Sequence, residues 1–299
     1  VEYTVEEMTI SWSESSDGDF KHYNLLNSDS ENGDKTSVTT ITNKSTTSHS
    51  ITEFNPNIEN WYWVEVSDIS GQTSIGTGMS NSLNNIPSPV NVTSVTYDLE
   101  SMTITWEEYV PNLSRINQMN QNTRSTVTND FVSYELLQSD SEDGAYTSVV
   151  VITDQSTTSH SLLEYNPTQE NWFKVKITDY WNLTSTGTGM TNEIDGLPMQ
   201  VNILSVSYDL IEMLISWEPS IDDDFISYEL LQSDSEDGAY ASVVVITDQV
   251  TSSYSLTEYD PTQENWFKVR VTDYWDLTST GTGMTNEIDS PSTESVLYP

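Results

Sequence analysis

The chain has 299 residues, 47 acidic against 9 basic, for a formal net charge of −38, and no cysteine. That charge repels phosphate backbones and excludes nucleic-acid binding, while the missing thiols exclude a disulfide scaffold, thiol catalysis and thiolate metal sites. No apolar run approaches the roughly 18 residues of a membrane-spanning helix, and a start at Val1 with no signal peptide predicts a processed form or a fragment, of two or three domains.

In chain order, Trp12 and the stretch from Phe20 (FKHYNLLNSDSENGDKTS) to Met79 make a diverged first copy of a pattern that recurs twice. Residues 131–146 read FVSYELLQSDSEDGAY and residues 225–240 read FISYELLQSDSEDGAY. Residues 171–194, NWFKVKITDYWNLTSTGTGMTNEI, return at 265–288 as NWFKVRVTDYWDLTSTGTGMTNEI. Trp12 and Trp106 lie 94 residues apart, Trp106 and Trp217 lie 111 apart, and Tyr134 and Tyr228 again 94. The surplus of 17 falls between Trp106 and Tyr134. Repeats at a fixed spacing define the architecture. Three units follow: 1–86, 87–195 with a 17-residue insertion, and 196–290, with a strand-like tail at 291–299.

Each unit reads as all-β. Met102-Thr-Ile-Thr-Trp106, Tyr134-Glu-Leu136 and Phe173-Lys-Val175-Lys-Ile177 alternate apolar and polar residues. Asp143-Gly144, Asn166-Pro167 and Gly187-Thr-Gly189 punctuate them as turns. Alternation with one buried face predicts antiparallel strands in an immunoglobulin-like sandwich of about 100 residues. Three tandem sandwiches predict an extended rod.

These residues resemble the fibronectin type III family across nearly the whole chain. Trp12, Trp106 and Trp217 match its second-strand Trp, and Tyr23, Tyr134 and Tyr228 its third-strand Tyr. Its sixth-strand Tyr-x-Val-x-Val motif, followed by Asp, matches Tyr62-Trp-Val64-Glu-Val66-Ser-Asp68 and, with Phe in place of the corner Tyr, residues 173–179 and 267–273. The two Phe copies should lose a hydroxyl-to-backbone hydrogen bond worth about 1 kcal/mol. The resemblance implies a spacer or binding module, extracellular in microbes, and no reaction.

Acidic residues recur in turns. Asp29 to Asp34, Asp140 to Gly144 and Asp234 to Gly238 lack the regular ligand alternation of an EF-hand loop and read as hairpin turns, with Asp-Gly supplying positive φ. A second set, Asp17 and Asp19 in unit one and Asp222, Asp223 and Asp224 in unit three, lies between the second and third strands, a loop that the family resemblance implies is at the pole facing the preceding unit. Carboxylates from two units would then meet, their repulsion offset by water, salt or a divalent cation; calcium is the candidate cofactor, with Asp17, Asp19, Asp222 and Asp224 as candidate ligands. In unit two the insertion leaves Asp130 alone. Paired carboxylates also suit glycosidases, but acids repeated in every copy argue against an active site. His22 lies beside a core Tyr, and His49 and His160 occupy a position that is Tyr254 in unit three, so none reads as a catalytic base. No enzyme is expected.

Aromatics give the stronger binding signal. With Tyr62, Val64 and Val66 facing the core, Trp61 and Trp63 should point outward, as should Trp172 and Trp266 beside Lys174 and Lys268, while Trp181 and Trp275 fall in the next loop. Contacts between units, between chains or with sugar rings would cover them, unless neighbours such as Lys174 lie across the indoles. The insertion, roughly 107–129, carries Arg115 and Arg124, which could dock on a neighbour's carboxylates.

The ends differ from the internal boundaries. Val1 aligns with Val95, so unit one lacks most of a first strand, whereas Val296 and Leu297 in the tail align with Ile203 and Leu204. Head-to-tail strand donation would therefore use Val1, Tyr3 and Val5 on one subunit and Val296, Leu297 and Tyr298 on the next, building an open filament. The expected protein is an extracellular cell-surface structural or adhesive subunit. Its partners are other copies of itself and surface glycans or proteins. The alternative is a carbohydrate-binding or spacer appendage cut from a longer secreted enzyme or adhesin.

Overall fold

The computed structural model describes residues 1–110 and 130–290. Three repeats, each of two facing sheets, account for the described chain, and no helix occurs among the described residues. The first repeat has β1 (Glu2–Tyr3), β2 (Met8–Ser11), β3 (Phe20–Ser28), β4 (Thr36–Ile41), β5 (Ser48–Ile51), β6 (Trp61–Asp68), β7 (Thr73–Ile75) and β8 (Met79–Ser80). One sheet runs β1-β2-β5; the other runs β4-β3-β6-β7, with β8 also on β6.

The second repeat has β9 (Val92–Tyr97), β10 (Met102–Trp106), β11 (Phe131–Ser139), β12 (Thr147–Ile152), β13 (Ser159–Leu162), β14 (Trp172–Asp179), β15 (Thr184–Thr186) and β16 (Met190–Thr191). The third has β17 (Ile203–Tyr208), β18 (Met213–Trp217), β19 (Phe225–Ser233), β20 (Ala241–Ile246), β21 (Ser253–Leu256), β22 (Trp266–Asp273), β23 (Thr278–Thr280) and β24 (Met284–Thr285). Both repeat the same strand order, the expected all-β arrangement of three tandem antiparallel sandwiches. By packing, the chain groups into two compact units, Val1–Thr96 with Thr103–Ser161 and Asn171–Asn192, and Tyr97–Met102 with Leu162–Glu170 and Glu193–Pro299.

Period-two alternation sets the core. In β14 and β22 every second residue is buried: Phe173, Val175 and Ile177, then Phe267, Val269 and Val271, all at 0% exposure. Each such side chain contributes about 1.5–3 kcal/mol of hydrophobic stabilisation. Polar tethers fix the loops around this core. Tyr228 Oη accepts the Ser220 N–H at 2.6 Å and donates to the Gln249 carbonyl at 2.8 Å. Tyr23 and Tyr134 make the same bridges, to Ser15 and Lys44 and to Tyr109 and Gln155. The hydroxyl bridge to backbone in each repeat is therefore made by the third-strand tyrosine.

The acidic turns differ from expectation in their backbone. Gly33, Gly144 and Gly238 do not have positive φ. A Cβ at each would lie 2.3–2.4 Å from the hydroxyl of Ser28, Ser139 or Ser233, so a larger residue would require that serine to move. Positive φ occurs instead in the turn after β6, β14 and β22, at Gly71, Asn182 and Asp276, the residue types that tolerate it.

Candidate functional site

Upstream of β9 and β17 the backbone passes close over the last-strand segment of its own repeat. Asn91 Oδ1 accepts both the backbone N–H and the hydroxyl of Thr188 at 2.9 Å, and Asn202 does the same for Thr282. Val90 and Val92, or Val201 and Ile203, are then buried to between 1% and 5% exposure. The crossing is so close that a Cβ on Gly187 would lie 1.8 Å from the Val90 carbonyl, and one on Gly281 1.9 Å from the Val201 carbonyl.

Among the described residues, no such segment crosses the corresponding edge of the first repeat. Gly76 donates to the Val64 carbonyl at 2.9 Å, as Gly187 does to Val175 and Gly281 to Val269. A Cβ on Gly76, however, would meet only that carbonyl, at 3.5 Å. Trp12, Val64 and Val66 are partly exposed, whereas their counterparts Trp106, Trp217, Val175, Val269, Ile177 and Val271 lie between 0% and 3%. Ile75 and Met79 beside them are exposed at 47% and 60%. The result is an apolar groove along a sheet edge that no strand pairs among the described residues. Of the three expected first-repeat contact residues, Val1 and Val5 are partly exposed, with Val1 against the core. Tyr3 is only 9% exposed, packed on Phe54 and on Trp181 at 5.6 Å, and its ring is committed there. Val296, Leu297 and Tyr298, like Arg115 and Arg124, lie outside the described residues.

The aromatic candidates are placed as follows. Trp63 departs from the exposed position expected of it, being only 6% exposed. Lys35 Nζ sits 4.2 Å from its ring centroid, Trp61 stacks on it at 6.0 Å, and Gly78 leaves room that a Cβ, 2.2 Å from Trp63 Nε1, would take. Trp61, Trp172 and Trp266 are half-buried, the indoles of Trp61 and Trp266 donating to Glu59 and Glu264. Lys174 and Lys268 lie over Tyr146 and Tyr240, each at 4.3 Å, rather than over the indoles. Trp181 accepts a hydrogen bond from Asn57 on its carbonyl, and Trp275 packs on Tyr165 at 5.2 Å and Tyr97 at 6.4 Å.

The acidic candidates separate. Asp17 and Asp19 are exposed, and Asp222 Oδ2 accepts from Met199 N–H and Ser220 Oγ. Asp224 alone of the four joins a cluster, with Asp195 and Asp273, in which one carboxylate oxygen from each residue lies within 4.8 Å of the others. Burial raises the Asp224 and Asp273 carboxyls above the ordinary carboxylate range, reinforced by the charge of Asp195. Tyr97 Oη donates to Asp195 Oδ1 at 3.2 Å, and burial together with that carboxylate pushes the phenol up to about 12. The sequence signal for Asp195 was available in the alignment of repeats, which sets it opposite Asn84.

No family model matches this sequence, and no curated protein matches it. Among solved structures the chain is similar to the FN1-FN3 domains of chicken CNTN1, with 15% identity over 94% of each chain and a TM-score of 0.26. The repeated paired sheets are established by the strand order itself.

Proposed function

We propose that this chain is a non-enzymatic structural or adhesive protein of the cell surface, a subunit of a filament in which one copy donates an extended strand to the first repeat of the next. The observation that carries the reading is the groove bounded by Trp12, Val64, Val66 and the Gly76 edge. The occupant it suits is defined by the chain itself: residues 90–92 and 201–203 fill the corresponding place in the other two repeats, an apolar-Asn-apolar strand with its outer residues buried. An edge that presents unpaired backbone beside apolar side chains is a template for strand addition. The donor in this reading is the segment 291–299 of a second copy, whose Val296 and Leu297 stand in the register of Ile203 and Leu204; it shares only the second apolar anchor of the 201–203 pattern, with Glu294 and Ser295 at the places of Val201 and Asn202. A donor and an acceptor on different surfaces make a heterologous contact, which propagates as an open fibre.

Electron microscopy of the full chain beside a variant ending at residue 290 tests this. Fibres in the first sample and dispersed particles in the second are expected. Dispersed particles in both samples, or fibres in both, would overturn the strand-donation reading.

A further inference from the structure

Asp273 of the third repeat meets an arrangement of acids that its counterpart Asp179 in the second repeat avoids. Asp179 and Asp273 occupy the same place at the ends of β14 and β22. In each, Oδ1 accepts two backbone N–H groups of the following turn: Trp181 and Leu183 at 3.0 and 2.8 Å, Trp275 and Leu277 at 2.9 and 2.8 Å. The two differ at Oδ2. Asp179 Oδ2 accepts the Asn84 side-chain amide at 2.9 Å. Asp273 is 1% exposed, and among the described residues no donor reaches its Oδ2. The position of Asn84 is taken by Asp195, so a carboxylate stands where an amide donor would be needed. Asp195 is held through Oδ1 by the Tyr97 hydroxyl, and its buried Oδ2 likewise has no donor among the described residues.

We infer that Asp195, Asp224 and Asp273 form a binding site for a divalent cation, with calcium the ion that fits best. A buried carboxylate oxygen without a donor or a positive partner is strongly disfavoured. Here two such oxygens converge with a third from Asp224, all within 4.8 Å of one another. One ion at about 2.3–2.6 Å from each oxygen meets that separation, and this is the calcium–oxygen distance. Calcium takes six to eight oxygens in irregular geometry; the half-exposed Asp195 and Asp224 leave the remaining positions to water. Fixed donors on the other oxygens orient the Asp195 and Asp273 carboxylates in advance, so the ion need not order them. The backbone N–H of Tyr274 holds the Asp224 carbonyl at 2.8 Å and so ties the third ligand to the same turn. The competing way to relieve the cluster is a proton shared between Asp195 and Asp273, as in other carboxylate pairs.

The inference is independent of strand donation and is tested on the full chain. Terbium luminescence, excited through the nearby Trp275 and Tyr97 and competed by calcium, is compared between the native protein and Asp195→Asn. Thermal unfolding of both is recorded in chelator and in calcium. Asp195→Asn restores the Asn84-type donor, so it folds and melts at or above the native temperature in chelator. The expected result is a calcium-dependent rise in Tm and a saturable terbium phase in the native protein, both lost in Asp195→Asn. Equal calcium and terbium responses in the two proteins would overturn the site, since weak binding to surface acids affects both alike. A native Tm unmoved by calcium would also overturn it, leaving a proton as the bridge.

Discussion

The side-chain amide of Asn84 donates to the buried carboxylate of Asp179 at 2.9 Å, satisfying the oxygen that the next turn leaves free. This contact lies inside one compact unit, and its counterpart in the other is the acid pair Asp195 and Asp273. A single side-chain change, amide to acid, converts a neutral tie into a concentration of negative charge. Asn84→Asp should therefore lower Tm in chelator, by an amount set by the repulsion against Asp179. Differential scanning calorimetry of Asn84→Asp and Asn84→Ala separates the two contributions, because Ala loses the donor and adds no charge.

The close backbone crossings make a sharp contrast between equivalent glycines. Gly281→Ala places a methyl against the Val201 carbonyl, which backbone cannot relieve by rotamer change, and should cost about 3 kcal/mol. Gly76→Ala meets only ordinary contact and should leave the stability of the isolated chain unchanged. Urea unfolding of the two variants at low protein concentration checks both halves.

Tyr228 supplies both the acceptor for Ser220 N–H and the donor to Gln249, and Ser220 is itself buried. Tyr228→Phe keeps the packing but strands that N–H, at a cost of about 1–3 kcal/mol. Unfolding midpoints of Tyr228→Phe and Tyr134→Phe should fall together, since the bridges are the same.

Asp276 sits at φ 62, where a Cβ-bearing residue without a short polar side chain is strained. Asp276→Ala should cost about 1 kcal/mol and Asp276→Gly should cost less or stabilise, as Gly71 does the same task in the first repeat. Chemical denaturation resolves the order.

Acid sensitivity has a defined sign at Asp98 and Asp209. Each accepts two backbone N–H groups, from Glu100 and Ser101 and from Ile211 and Glu212, and these bonds hold its carboxyl below the ordinary value. A carboxyl lowered on folding contributes stability that is present above its unfolded pKa and lost as pH falls through the folded one. The stability gap between the native protein and Asp209→Ala should be full at neutral pH and close below the ordinary carboxylate range. Urea titrations at stepped pH measure that gap.

Much of the fold is legible in the sequence because two local signals agree. Apolar alternation in 173–177 and 267–271 marks strands with one buried face, and the repeat carries that assignment to the diverged first copy. The groove is not legible in the sequence: the exposure of Trp12, Val64 and Val66 follows only from packing. Trp63 misleads because alternation gives the face a side chain takes, not what covers it. The covering comes from Lys35 across the sheet and from the absent Cβ of Gly78. The acid cluster is the least legible part. Asp195, Asp224 and Asp273 come from a linker, a loop and a strand end, and among so many acids only three-dimensional packing distinguishes them.

The central claim is that the open edge of the first repeat receives a strand, and sedimentation velocity of Gly76→Ala beside the native full chain tests it most directly. The added methyl fits the empty edge but would collide with an entering backbone as Gly187 and Gly281 variants would. The account predicts concentration-dependent assembly of the native protein and folded, non-associating Gly76→Ala. Identical sedimentation of the two, assembled or not, would contradict it.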